Sequence, residues 1–514
     1  MTTDLRQPSG LSRMAGFIHF APSHGLRRLV GWLLAATTAV LVACGGGDVT
    51  TAGGVGSGGT GLAEGTVTGL GSVIVDGITY VETNAAVVAD NESGQPGNAD
   101  LQLGQRVRVV YGQVNGTDTA SRIEVLPQLK GPVTGVVNAA GQLQVMGQTV
   151  RVQSTGTQSQ AVLAGVSSVS ALAVGDVVEV HGSWQRDAAT ARYQLVATRL
   201  EKITATDNIW LLSGVVHGLS NATAGVRWHL NATDGVAVLT AAPPAGLVNG
   251  TLVRLWLTSA ALSSQPLQPL RTALADWATA APSDADIRFS AQAASYNPAT
   301  RTLEVQGVKL GLPATLVLDE DALGQGGYVT VNLSRKGGEL QVVSASAQTG
   351  GTALTREIEL KGVISGVNFS TNPVVFDMRG TTVQAARSVL DADCLLVGTG
   401  DVYLQVQGRM PVGSTTLQAS EVECKAQAPN ANAVVERRGT VLSVNPAQRS
   451  LVLQQGTGAQ ATTLTAVWDA NSYFQQSPDK LPGLTVEIEG VQNGGTLRIR
   501  RIRLISKAKS ASDD

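Results

Sequence analysis

Gly65 to Val81 reads GTVTGLGSVIVDGITYV, and the punctuation of this stretch decides the fold. Val67 on one side of a Gly-containing bend, and Val73 with Val75 on the other, mark two strands. Asp76 and Gly77 then supply the two-residue turn of a β-hairpin. The opening recurs as GPVTGV at Gly131, GVVHGL at Gly214, GVISGV at Gly362 and GTVLSV at Gly439, with a decayed version, AQAASY, at Ala291. Self-similarity of this kind marks a tandem array, here of six units.

Within each unit a second strand carries a central turn glycine, as in LQVMGQTVRV (Leu143 to Val152), LEVQGVKL (Leu303 to Leu310) and VVFDMRGTTV (Val374 to Val383). The fourth segment is the most regular. It reads LQLGQRVRVVYG ending at Gly112, LAVGDVVEVHG ending at Gly182, GDVYLQVQG ending at Gly408 and LPGLTVEIEG ending at Gly490. Units three and four answer with LVNGTLVRLWL (Leu247 to Leu257) and GGYVTVNL (Gly326 to Leu333). Alternation such as Val178, Glu179, Val180 or Val486, Glu487, Ile488, Glu489 puts apolar side chains on one face of a half-buried strand. A closing strand follows, as in SRIEVL (Ser121 to Leu126), ATRLEKI (Ala197 to Ile203) and LRIRRIRLI (Leu497 to Ile505). Five strands in about 70 residues cannot lie open without exposing their apolar face, so each unit is expected to close into a small barrel. The fold class is therefore all-β, a tandem and elongated array of about six small five-stranded barrels.

Composition agrees. With 59 glycines, 4% aromatic and 15% charged residues in 514, the chain suits short strands and tight turns, and its length exceeds what one core organises. The expected boundaries are a signal segment at 1–43, a Gly-rich tether at 44–64, and modules at 65–128, 129–208, 209–286, 287–349, 350–430 and 431–507, with a tail at 508–514. The third module contains one expected departure. Between Ser259 and Asp286, Leu270, Leu274 and Trp277 stand at helical spacing inside Pro-bounded flanks, which predicts a short helical insertion. Such a helix would cap an open barrel end or, as insertions in repeat arrays do, carry binding specificity.

The N-terminus carries an address. Arg27 and Arg28 precede an apolar run from Leu29 to Ala43, too short to span a bilayer, which ends in Leu41, Val42, Ala43 and Cys44. This is the pattern of a bacterial lipoprotein signal, in which the cysteine takes a diacylglycerol and becomes the new N-terminus. Lipidation at Cys44 predicts a cell-envelope protein held to the membrane through its N-terminal lipid. By analogy with enteric sorting, Gly45 rather than Asp after the cysteine favours the outer membrane. The glycine run from Gly45 to Glu64 would act as a leash of roughly 25 Å r.m.s. span. Loss of four arginines and Asp4 with the signal takes the net charge from −2 to about −5, which gives no electrostatic case for nucleic acid.

The unit beginning GTVTGLGSVIVDGITY, with its acidic Asn/Gly turn region (Asp90 to Asp100) and LQLGQRVRVVYG, resembles a family known only as a domain of unknown function (family number 5666). That family occurs in tandem in proteobacterial lipoproteins. The resemblance implies small barrels similar to the OB fold and carries over no catalytic residue. Units two, five and six keep the opening glycine and the glycine-flanked fourth strand; units three and four keep mainly the hydrophobic rhythm.

Candidate chemistry is sparse. Apart from Cys44 only Cys394 and Cys424 remain, and in an oxidising compartment they are expected to pair; no histidine lies near enough in sequence to make a zinc site with them. His217 and His229 could face each other across a hairpin, but without a third ligand they read as solvated strand residues, and His181 stands apart. Acidic clusters at Asp90, Asn91, Glu92 with Gly94, and at Asp319, Glu320, Asp321, suit calcium loops or simply turns, and turns are preferred. Arg498, Arg500, Arg501 and Arg503 form a basic run whose preferred partners are Glu487 and Glu489 on the preceding strand. No phosphate loop, HExxH helix or serine elbow occurs, and no Ser/His/Asp set can be assembled without arbitrary choice, so no enzyme, metal or cofactor is expected. Trp184, Trp210, Trp228, Trp256 and Trp277 cluster in and around units two and three, and Trp228, Trp256 and Trp277 are the candidates for sugar contact, unless they are core. The leading expectation is a non-enzymatic structural or interaction array; the alternative is a binding protein for a polysaccharide or small envelope ligand, with an envelope protein or glycan as partner.

Overall fold

Two-residue turns set the rhythm of the molecule. Val75 pairs with Ile78 across Asp76 and Gly77, whose φ angles of 50° and 83° are both positive, as a type I′ turn requires. The same turn recurs at Met146–Gly147, Gln306–Gly307 and Arg379–Gly380, each closing a tight antiparallel hairpin. The glycine read as central in each second strand is thus the second corner of a hairpin. The computed structural model describes residues 60–505 except 83–84, 91–95, 137, 139–140, 153, 156–157, 160, 205–208, 276, 278–280, 282–284, 338, 350–351, 356, 365, 397–400, 412–413, 426–433, 457–460 and 494. The signal segment, Cys44 and most of the tether lie outside the described residues, as do Asn91, Glu92 and Gly94.

The described chain is nearly all β, built as small closed barrels. In the first strand group, Gly61–Leu70 pairs with Val73–Val75 on one side and Arg106–Val114 on the other. Val73–Val75 continues to Ile78–Tyr80, and Thr117–Val125 pairs antiparallel with Arg106–Val114. A parallel bridge between Val81 and Thr119, followed by the parallel pairing of Ala86–Asp90 with Thr117–Val125, closes the ring. The second group repeats this order. Leu129–Gly135, Gln142–Val145, Gln148–Arg151, Tyr193–Lys202 and Val177–Arg186 pair in sequence round a ring that returns to Leu129–Gly135, with Gln148–Arg151 parallel to Tyr193–Lys202. Val434–Asn445, Ser450–Gln455, Thr462–Val467, Thr496–Leu504 and Thr485–Asn493 do the same at the C-terminal end. Between these, Ile358–Ile364, Val402–Arg409, Thr416–Lys425 and Thr381–Ala385 follow the same order. The region from Asp286 to Gln348 divides into two sheets, with Ser295–Asn297, Thr302–Val305 and Val308–Gly311 forming one of their own.

The third group corrects two readings. Among the described residues of this segment, helical backbone occurs at the four-residue Ser259–Leu262, capped by Thr258, whose side chain accepts a hydrogen bond from the Ala261 amide at 3.1 Å, and at Trp277. The segment read as helical contains the strand Arg271–Leu274, antiparallel to Leu252–Thr258. Just upstream, Leu267 bridges Val238 in parallel, its amide donating to Ala237 O at 2.8 Å. Much of the supposed insertion therefore closes the barrel, and the physical reason is edge satisfaction: Leu252–Thr258 and Val236–Thr240 are each paired on one side already, and without this segment the other edge of each would be left open. Leu270 is exposed while Trp277 is fully buried, so these residues share no helical face.

Nor is the array a string. Gly61–Leu70 begins inside the stretch read as tether and is buried along its whole length. It runs parallel to Asp286–Gln292, pairing Leu62 with Ile287, and to Ile358–Ile364, pairing Leu70 with Leu360. Leu129–Gly135 pairs with Ile209–Ala222. Side chains of the first and fifth groups form one continuous apolar cluster, and those of the second and third another. Strand periodicity reports which face of a strand is apolar and says nothing of what else covers it, so the lateral fusion was invisible to it. Cys394 and Cys424 form a disulfide in the fifth group, as expected.

Candidate functional site

The largest of the prominent cavities, about 570 Å³, lies where the first, second, third and last strand groups meet. Trp210, Trp256 and Tyr473 give it aromatic surface; Asn98, Gln102 and Gln105 give it amides; Asp100, Glu179, Glu201 and Lys130 give it charge. Trp210 and Trp256 sit on paired strands, Ile209–Ala222 and Leu252–Thr258, on opposite faces: Trp256 is turned away from the core that its neighbours Leu255 and Leu257 enter, whereas Trp210 shares the face of Leu212 and reaches the cleft from within that core cluster. The Trp210 indole donates from Nε1 to Ser259 Oγ at 3.1 Å, which fixes its ring.

The carboxylates here are held. Asp100 receives Arg503 Nε at 2.6 Å and Gln102 Nε2 at 2.8 Å, and pairs with Arg501 Nη1 at 2.8 Å. Burial pushes its pKa up, but the two guanidiniums outweigh burial and hold it below the ordinary value. Glu201 pairs with Arg199 at 2.8 Å, and the Arg199 guanidinium also donates to Leu103 O at 3.1 Å, tying the second group to the first. Asn98 donates to Ala470 O at 2.7 Å and Ser472 O at 3.2 Å, tying the first group to the last. Burial, then Asp100, pushes the Tyr473 phenol up to about 12, so it stays a neutral hydrogen-bonding group.

Beyond Asp100 the ion pairs continue into the last group. Glu489 stands opposite Arg501 and Glu487 opposite Arg503 in the ladder, which is the cross-strand pairing expected for the basic run. The arginines reach further than expected: Arg501 touches both Glu489 and Asp100, Arg500 donates to Glu82 O at 2.8 Å, and Arg379 Nη1 meets Glu489 at 2.7 Å. A second cavity of about 440 Å³ opens on this network.

The remaining sequence candidates fall into structural roles. His217 pairs with His229 across the hairpin, as anticipated, and burial followed by Arg186 lowers the His217 pKa. Among the described residues no group of three or more His, Cys, Asp or Glu side chains is placed to hold a metal ion. His181 is fully buried: Nδ1 accepts from the Arg106 amide at 3.3 Å, leaving Nε2 to donate to Glu179 at 3.0 Å. Asp319 caps the short helix Glu320–Gly324, accepting from the Ala322 amide at 2.9 Å, and Glu320 pairs with Arg301.

The tryptophans correct the sugar-contact reading in part. Trp228 and Trp277 are 0% exposed; the first lies in the shared core and the second stacks on Phe289 at 4.1 Å. Trp184 is likewise core, donating to Ser213. These rings are too enclosed to meet a ligand. Of the three candidates it is Trp256 that lines the junction cleft, joined by Trp210. Asp100, Gln102 and Gln105 were missed because they sit in a turn, where the same residue types are favoured for backbone reasons. The only sequence signal was their place just before the regular fourth strand.

Residues 130–201, which span most of the second strand group, match the family model described as Domain of unknown function (DUF5666). That segment of this all-β chain is thus similar to a family whose own description assigns no activity. Comparison with curated proteins gives no match.

Proposed function

We propose that this chain is a non-enzymatic, lipid-anchored cell-envelope protein in which about six small five-stranded OB-like barrels act as one interaction body, and that the junction cleft holds a saccharide or another small envelope ligand. The observation that carries this reading is the cleft of about 570 Å³ walled by Trp210, Trp256 and Tyr473 and edged with amides. Aromatic faces beside hydrogen-bonding amides suit a saccharide, whose ring presents apolar C–H faces and polar edges. Of the carboxylates around the cleft, Asp100 and Glu201 are bound to arginines and Glu179 to His181, which favours fixed recognition over proton transfer. The OB-like reading is supported by the ring order, with its one parallel closing pair, in the first, second and last groups.

The anchor belongs to the same proposal. Cys44 would be lipidated and the protein held at the outer membrane, a reading that rests on the Leu41 to Cys44 sequence. Radiolabelled palmitate should enter the wild type and not Cys44→Ser; label in both, or in neither, contradicts the anchor. For the cleft, titration of the mature chain with neutral oligosaccharides such as cellohexaose should give a saturable change in tryptophan fluorescence that Trp210→Phe weakens about tenfold, equivalent to 1.4 kcal/mol. An unchanged spectrum across the series would contradict it. A purely structural array is the second reading, favoured by the shared cores and the Arg500, Arg501 and Arg503 contacts to the first group.

A further inference from the structure

A smaller cavity of about 170 Å³ lies against the junction cleft, and the two share Trp256 as a wall. On this side the Trp256 ring carries two guanidiniums, that of Arg271 at 4.4 Å and that of Arg254 at 5.1 Å from the ring centroid. Arg271 stands directly opposite Trp256 in the ladder between Leu252–Thr258 and Arg271–Leu274, so the strand that closes the third barrel also sets this arginine. From the first group, Arg108 and Arg122 also line the cavity.

The charge is unbalanced. Glu64 and Glu124 are the carboxylates lining the cavity, and both are engaged. Glu64 is shared by Arg106 and Arg108 at 2.8 Å each; Glu124 is shared by Arg122 at 2.8 Å and Arg108 at 3.6 Å. Arg271 stands outside these pairs, and its Nη1 is buried with no hydrogen-bond partner. A buried, unpaired guanidinium donor is costly, and an acceptor entering the cavity would relieve that cost. The Arg271 guanidinium lies over the indole face with Nη1 unpartnered, and a guanidinium's planar donors match the oxygens of a carboxylate, phosphate or sulfate.

We infer that this cavity is an oxyanion site centred on Arg271, and that the oxyanion is carried by the ligand of the adjoining cleft, which makes that ligand an acidic saccharide. The first half stands on the cavity alone; the second rests on the binding reading given above. Inorganic phosphate tests the first half by calorimetry at low ionic strength, with Arg271→Gln and Arg122→Gln as variants and their thermal midpoints as a folding control. Phosphate should bind the wild type saturably, about tenfold more weakly Arg271→Gln, and severalfold more weakly Arg122→Gln. Phosphate that fails to bind, or binds folded Arg271→Gln as well as the wild type, overturns the site. A glucuronate-containing oligosaccharide and its neutral counterpart test the second half: the acidic one should bind about tenfold tighter in the wild type and equally in Arg271→Gln. Equal binding in the wild type overturns the assignment of an acidic ligand. Binding of phosphate through Arg271 with no binding of either saccharide leaves the oxyanion site standing and overturns the saccharide reading of the cleft.

Discussion

Glu436 and Glu489 face each other in the ladder between Val434–Asn445 and Thr485–Asn493, yet they are driven in opposite directions. Burial, then the charge of Glu487, raises Glu436 to about 8 despite Arg379 beside it, and its Oε2 is buried without a hydrogen-bond partner. Glu489 experiences the same burial but sits against Arg379 and Arg501, which bring it down to about 2. The two make opposite contributions to stability. For Glu489 the folded pKa lies below the ordinary 4.5, so its contribution is present above pH 4.5 and lost as pH falls toward 2. For Glu436 the folded pKa lies above 4.5, so its contribution is complete below pH 4.5 and lost as pH rises toward 8. Glu436→Gln, which keeps the oxygen that accepts from the Arg379 amide, should therefore raise the unfolding free energy at pH 9 by about 2 kcal/mol and flatten its decline between pH 5 and 9. Urea titrations of both proteins at the two pH values check this. An unchanged difference between wild type and variant across that range would contradict it.

At the scale of the element, the glycine that ends the fourth-segment motif, which the structure places inside its strand, is the feature most open to test. A Cβ on Gly182 would sit 2.1 Å from Val196 O, at the point where the pairing with Tyr193–Lys202 slips register between His181 and Gly182. Gly408 and Gly490 meet the same obstruction from Gln418 O and Arg498 O. In the first group the slip falls between Val110 and Tyr111, so Gly112 lies one residue beyond it and has nothing within 4 Å. Gly182→Ala should cost about 3 kcal/mol by denaturant titration, and Gly112→Ala less than about 0.5 kcal/mol. Equal costs would remove the close-approach explanation. These glycines also show how far the sequence could be read. Their spacing, the I′ turn glycines and the alternation of Val486 to Glu489 marked the strands because each obeys a local rule of backbone or period. Arg271–Leu274 was misread because four residues are too few to display period two, while Leu270, Leu274 and Trp277 mimic a helical spacing by chance. Asp100 and Arg271 carried no local rule at all, since Asp100 takes its role from Arg501 and Arg503 of the last group and Arg271 from the ring of Trp256 across a strand pairing that the sequence did not reveal.

At the scale of the whole molecule, Gly61–Leu70 is the joint. Its parallel pairings to Asp286–Gln292 and Ile358–Ile364, together with the reach of Arg501 and Arg503 to Asp100, gather barrels that a tether-and-string picture would separate. The junction cleft exists only because of that gathering: its walls come from four strand groups. Hydrogen–deuterium exchange of the mature chain, with and without a saturating glucuronate-containing oligosaccharide, therefore tests the central claim most directly. Protection is expected together at Pro96–Asn98, Val177–Arg186, the start of Ile209–Ala222 and Tyr473–Phe474. Protection confined to a single barrel, or none at any of the four segments, would contradict the account.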